Sequence, residues 1–262
     1  MNCTVSMLKR TGVLLGLPVV LFAAWWFGSA GSTDFYRPPL QRILIAFSDT
    51  WFGSRIADDV LPSLGRLGVG YGMAFTVGVA LGTAIGLSPR LRALVEPTLE
   101  FLRAIPPPVL VPILMLFAGI GDLMKVLVIV SGALWPILLN TVEGVRGADE
   151  VLADTCRTYR ITGLLRLRHF LLRSASPQVV AGTRQALSIG LILMVISELK
   201  AANEGLGFTV REFQTGFQIP EMWSGVLLLG IIGVVLSLLF RLVERRALGW
   251  YHGVRAAERV VR

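Results

Sequence analysis

Charge is scarce in this chain: only 16% of its 262 residues are Asp, Glu, Lys or Arg, where a soluble domain carries about a quarter. Cysteine is almost missing. Cys3 and Cys156 stand far apart, which excludes a disulfide framework and any cysteine metal spacing. Histidine is as rare: His169 and His252 form no cluster, so no metal site and no catalytic constellation is expected. The phosphate-cradling run G-x-x-x-x-G-K-[ST] does not occur either, so no nucleotide site of that kind is expected in this chain.

What is present in quantity is apolar side chain, 54% of the residues, gathered into long blocks. The mean hydropathy is +0.68. A water-facing surface could not hold such blocks. The net charge of +8 would suit nucleic acid, but the Lys and Arg residues lie between the apolar blocks, as at membrane borders, and no nucleic-acid partner is expected. About 20 helical residues cross a bilayer core. Candidate crossings are 12–27, 64–87, 99–117, 125–139, 177–199 and 223–242, giving an all-α integral membrane fold of about six spans.

Several spans carry detail. The first follows Lys9 and Arg10 and ends near the small residues Gly28–Gly31, so it is either an anchor or a signal peptide; the later spans favour the anchor. Residues 32–63 read as a loop with short interfacial helices. In the second span, Gly78, Gly82 and Gly86 share one face, which suits close packing on a neighbouring helix. Pro106, Pro107 and Pro108 must kink the third or turn it back as a re-entrant segment. Pro177 suits the first turn of the fifth. Trp25, Trp26, Trp250 and Tyr251 read as interface anchors.

Sixteen of the 25 Lys and Arg residues fall in segments on one side: 9–10, 90–92, 146–173 and 241–262. Positive-inside bias therefore places both termini in the cytoplasm. The tail from Arg255 to Arg262 reads as a solvated end near anionic headgroups.

Residues 142–176, between spans four and five, exceed a simple helix connection. Apolar Val151, Leu152, Ile161, Leu164, Leu165, Leu167, Phe170 and Leu171 alternate there with arginines. Such an amphipathic helix pair either lies on the membrane or docks into a partner. Asp154 and Arg157, at i and i+3, share a helix face. Ionisable residues inside spans are the natural pathway candidates. Arg184, in the fifth span, either lines a pore or snorkels to the interface. Glu198, near that span's outer end, either gates, pairs with Lys200 or sits at the surface.

A series of short runs carries a resemblance: LPSLGR at 61–66, RAIPP at 103–107, FAGIGD at 117–122, Asn140 and Thr141, GTRQAL at 182–187, EGLGF at 204–208 and LVERR at 242–246. In this order and spacing the chain resembles the membrane subunits of binding-protein-dependent ABC importers, in the nitrate/sulfonate/taurine branch. The resemblance covers about 61–253. It implies a type I importer permease fold, with an N-terminal helix and extracytoplasmic loop at 1–60, the permease domain at 61–253 and a cytoplasmic tail at 254–262.

The family's cytoplasmic Glu-Ala-Ala loop corresponds to Asp154, Thr155 and Cys156. The family's glycine position holds Arg160 and its proline position Arg173. The resemblance implies that this loop is a coupling helix seated on an ATPase, formed by Val151, Leu152, Asp154, Thr155, Cys156, Arg157, Tyr159, Arg160, Ile161 and Gly163, with Val151, Leu152 and Ile161 as its apolar patch. It further implies no catalysis in this chain, and the pathway candidates are Arg184, Ser188 and Glu198. ATP and Mg would be bound by a separate ATPase dimer, so the chain itself holds no cofactor. The other implied partners are an extracytoplasmic solute-binding protein, a second permease subunit (a copy or a paralogue) and membrane lipid. The implied cargo is a small anion, and the implied location a bacterial inner membrane.

Two other classes compete. A membrane enzyme would want His, Asp or Glu clustered at span ends. A stand-alone ion-coupled transporter would want buried acids in several spans.

Overall fold

The computed structural model describes residues 2–251, with side chains from Gly16 onward except that of Ala201. His252 and the tail from Arg255 to Arg262 lie outside the described residues, as do the side chains of Cys3, Lys9 and Arg10. Every regular element among the described residues is helical: α1 (Asn2–Ser29), α2 (Leu40–Trp51), α3 (Leu61–Leu87), α4 (Pro89–Ala104), α5 (Leu110–Ala118), α6 (Asp122–Arg146), α7 (Glu150–Thr158), α8 (Gly163–Arg166), α9 (Leu172–Ala201), α10 (Leu206–Thr215) and α11 (Ile219–Ala247). A π-turn at Ile56–Val60 leads into α3, and another at Leu167–Leu171 joins α8 to α9. Residues up to Ala57 with Thr209–Leu229 form one compact unit; Asp58–Phe208 with the residues from Gly230 onward form the other.

Four continuous helical stretches are long and apolar enough to cross a membrane: Ile56–Leu87, Asp122–Arg146, Gly163–Lys200 and Ile219–Ala247. The pair Pro89–Ala104 and Pro107–Ala118 is bent by 72° at the three prolines, as a broken span or a re-entrant loop, and brings the number to five if it counts as one span. α1 contributes the apolar stretch Gly16–Ser29. "About six" therefore stands as an approximate count.

The boundaries shift outward from those read in the sequence. The second crossing starts at Ile56, the fourth gains three residues before Lys125 and seven after Leu139, and the fifth begins well before Pro177. Pro177 thus lies inside α9 and not in its first turn. Its ring removes the donor that would meet the Arg173 carbonyl. The Ser176 hydroxyl donates to that carbonyl instead, at 2.8 Å, the kind of local rescue that makes proline tolerable in a membrane helix.

The larger unit is built on α6, flanked by α3 and α9. On α3, Gly70, Ala74, Gly78, Gly82 and Gly86 recur every four residues. They face Ile129, Ala133, Ile137, Thr141 and Val145, which recur at the same interval on α6. The approach is close: a Cβ placed on Gly82 would lie 2.7 Å from the Thr141 Cβ, and one on Gly86 2.8 Å from the Val145 Cβ. In lipid no hydrophobic force pulls helices together, so this intimate van der Waals seam supplies the association. The glycine face foreseen for span two is this seam. α9 runs antiparallel along the other side of α6; a Cβ on Gly144 would come within 3.0 Å of the Ala175 carbonyl.

In the smaller unit, α2 is the short amphipathic helix expected in the 32–63 segment, burying Leu40, Ile43, Ala46 and Trp51. The Trp51 indole donates to the Ser224 hydroxyl at 2.9 Å, and Trp25 meets Trp223 edge-on at 6.1 Å.

Candidate functional site

α7 is a short helix specified at both ends. Asp149 caps its start, accepting the Leu152 N–H at 2.9 Å. Glu150 sits in its first turn and Arg157 in its last, each sign suited to the helix dipole. The Thr155 and Thr158 hydroxyls fold back onto the carbonyls of Val151 and Asp154.

The end is a Schellman motif: the Ile161 N–H donates to the Cys156 carbonyl at 2.8 Å and the Arg160 N–H to that of Arg157 at 3.0 Å. The motif requires a left-handed residue at Arg160, whose φ is +54°. Glycine adopts that conformation freely, whereas a residue with a Cβ gives up about 1–2 kcal/mol. The family's glycine position is therefore a true left-handed position here, occupied by arginine. Gly163, at φ +61°, provides the next bend into α8.

The two faces of this segment differ. Cys156 is buried among Val145, Phe170, Leu171 and Ala175, with Ala153 and Ile161 packed against the cluster. Cys156 and Ile161 thus anchor α7 to the ends of α6 and α9. Ile161 does not join Val151 and Leu152 in an outward patch, correcting that expectation, because the Schellman closure turns it inward against Cys156. Outward point Val151, 73% exposed, Leu152, Tyr159, 75% exposed, and then Leu164 and Leu165 of α8. Asp154 and Arg157 form an ion pair at 3.0 Å, also exposed, and Thr155, Arg160 and Gly163 are exposed as well.

The pathway candidates separate. Arg184 and Ser188 lie one turn apart on an exposed stripe of α9. Arg184 pairs with Glu244 of α11 and lies over the Phe240 ring, 5.9 Å from its centroid. Glu198, in contrast, is fully buried. It sits neither at the surface nor paired with Lys200, which corrects that expectation. It accepts from the Ser63 hydroxyl at 2.7 Å, from Arg66 at 2.9 Å and from the Gly207 N–H at 3.0 Å. The physical reason is plain: a carboxylate away from water needs a cation and several donors.

Arg66 is the centre of that node, 4% exposed. Its guanidinium reaches Asp122 at 2.6 Å, Glu198, and the side chain and carbonyl of Glu204. Lys125, also buried, stands 3.7 Å from Asp122. The Leu206 N–H donates to the Ser63 hydroxyl at 2.9 Å, and the Gly205 N–H to Asp59 at 3.3 Å. Sequence reasoning missed this assembly. Its signal lay in three of the short runs quoted above, LPSLGR, FAGIGD and EGLGF, which supply Ser63 and Arg66, Asp122, and Glu204 to Gly207.

A second unforeseen feature is a cavity of about 240 Å³ where α4 meets α3 and α6. Arg92, Glu96, Glu100, Arg103 and Glu143 line it over a floor of Ile85, Leu99, Leu139 and Val142. Among the described residues no group of three or more His, Cys, Asp or Glu is placed to hold a metal ion.

Known proteins share this architecture. Residues 74–248 match the family described as binding-protein-dependent transport system inner membrane component. The taurine transport system permease protein TauC of Escherichia coli (strain K12) is 27% identical over 254 residues, covering 94% of this chain and 92% of that protein. The bicarbonate transport system permease protein CmpB of Synechococcus elongatus is 27% identical over 242 residues, 87% of each chain. In solved structures, an inward-facing form of the MetNI methionine ABC transporter superposes with a TM-score of 0.62 at 20% identity, over 72% of this chain and 94% of that one. That likeness concerns the fold, a type I importer permease. The family match and the permease relatives set aside the stand-alone ion-coupled transporter. This multi-pass inner-membrane chain belongs to the family of binding-protein-dependent transport system inner membrane components, as an ABC importer permease of the branch that includes taurine and bicarbonate permeases.

Proposed function

We propose that α7 is the coupling helix through which a separate ATPase dimer, binding ATP and Mg, drives this permease. The single observation that carries the reading is the division of α7 into an anchored and an open face. Cys156 and Ile161 are held in the core, while Val151, Leu152 and Tyr159 are left open beside an exposed Asp154–Arg157 pair. Apolar side chains fixed on a rigid helix, with a satisfied polar rim, are what a groove on a partner would take. A push on such a helix passes directly to the ends of α6 and α9, because Cys156 packs against both. Closure of two ATPase subunits then rocks this chain and a second permease subunit, a copy or a paralogue, between inward- and outward-open states.

The cargo is a small anion delivered by an extracytoplasmic binding protein, such as a sulfonate, taurine, nitrate or a related acid. The cargo named for TauC and CmpB supports that class. Both termini lie in the cytoplasm, which the distribution of arginines supports.

The test is the reconstituted importer with Val151→Asp and Leu152→Asp together. Insertion and melting of the permease should match the wild type, while transport and transport-dependent ATP hydrolysis fall to background. Wild-type uptake by this double variant would remove α7 from the mechanism.

A further inference from the structure

We infer that Arg160 is the residue by which this permease recognises its own ATPase, a fixed cation beyond the last turn of α7 that reads a carboxylate on the docking surface. The inference rests on the docking of α7 proposed above and adds to it a partner chemistry. It starts from backbone geometry. Arg160 occupies the left-handed position of a Schellman motif, at φ +54°, a place that glycine fills without strain. Local strain of this kind persists only where something compensates for it.

The Schellman hydrogen bonds and the packing of Ile161 hold the backbone there, but they would serve a glycine equally and do not account for an arginine. The Arg160 side chain is exposed, and among the described residues only its backbone N–H is engaged, with the Arg157 carbonyl. A second helix end in the same protein makes an instructive control. Phe217, at φ +56°, follows α10 in the same motif, with the Gln218 N–H donating to the Phe213 carbonyl at 2.8 Å. There the strained side chain meets another ring, Phe35, at 6.5 Å. Phe217 gains a contact within its own unit; Arg160 gains none.

The neighbouring charges sharpen the assignment. Arg157, three residues earlier, is already matched by Asp154 at 3.0 Å, so the uncommitted charge at this end of α7 is that of Arg160. Anionic headgroups would not require the arrangement. A lipid surface attracts arginine wherever a flexible stem reaches it, and Arg166, Arg168 and Arg173 follow close behind in the sequence. A strained, fixed origin for the side chain is useful only to a partner with fixed geometry. The guanidinium fork grips a carboxylate through two parallel hydrogen bonds, so the partner group is an Asp or Glu side chain on the ATPase.

The experiment uses the full-length permease in vesicles, with the ATPase subunit that co-purifies with the wild type. Arg160→Gly should fold as well as the wild type or better, since glycine suits the position. Its affinity for that ATPase should fall about tenfold or more, equally in vesicles of phosphatidylcholine alone and in vesicles with added phosphatidylglycerol. The salt dependence of the association should flatten, and Arg160→Lys should restore only part of the loss, because a lone ammonium lacks the fork. Wild-type ATPase affinity for Arg160→Gly would overturn the inference. So would a loss confined to vesicles containing phosphatidylglycerol, which would assign the residue to headgroups. The Val151→Asp/Leu152→Asp protein separates the two levels. If it loses the ATPase while Arg160→Gly keeps it, α7 docking stands and only the role of Arg160 falls. If both keep it, the docking reading falls as well.

Discussion

The Arg66 node and the α7 segment hang on the same three-helix core and are built in opposite ways. At the node, every charged group is answered within the chain: Arg66 by Asp122, Glu198 and Glu204, and Glu198 by Ser63 and Gly207 as well. At α7 polar and apolar groups are presented outward, and the side chain of left-handed Arg160 meets no partner among the described residues. The node has the character of a fixed fitting that ties the starts of α3 and α6 to the end of α9. On the proposed function, the α7 segment is half of an interface. Full satisfaction of a buried polar cluster marks what stays together, and exposed, unanswered groups on a rigid mount mark what meets a partner.

The strongest way to break the comparison is at the node. Arg66→Ala leaves Glu198 buried with its cation removed, which should cost about 3–5 kcal/mol. Melting in detergent should fall sharply or folded protein should fail to accumulate. An unchanged melting curve would mean that the node is a loose gate and not a fitting. Next comes the seam that carries both regions. Gly82→Leu forces a side chain into Thr141 and the Leu138 carbonyl and should cost about 1–3 kcal/mol by overpacking, again read by melting.

A smaller effect is expected at the α7 cap. Asp149→Ala should cost about 1 kcal/mol of helix stability, seen as faster amide exchange in Glu150–Thr158 with the α3–α6 seam unaffected. If exchange rose equally in both, α7 would not be a separable element. The smallest effect belongs to the exposed ion pair. Asp154→Ala should change stability by less than about 0.5 kcal/mol, below what a melting curve resolves, while ATPase coupling measured in the same sample weakens. A large drop in melting temperature would show that the pair serves folding instead of contact.

The seam on α3 could be read from spacing, because Gly78, Gly82 and Gly86 at intervals of four can only fall on one side of a helix. The broken third crossing was equally legible, since three consecutive prolines leave few alternatives. Glu198 was not. Its cation is 132 residues away and its hydroxyl donor 135, and no local pattern specifies a pairing at that distance. Ile161 was misplaced for a related reason. Its apolar character suggests a place beside Val151 and Leu152, but no helix carries it to their face: the helix ends at Thr158, and the left-handed Arg160 turns the next residue inward. Periodicity describes a helix only as far as the helix runs.

By itself the sequence determined that the chain lives in a membrane, roughly how many times it crosses, and which segment between spans stands apart. Those follow from runs of apolar residues and the placement of arginine, both local quantities that the bilayer reads directly. Only the tertiary structure decided which charges are answered internally and which are left for something else. Whether a carboxylate or guanidinium is satisfied depends on groups brought within about 3 Å by packing, and that distance exists only once the helices have met.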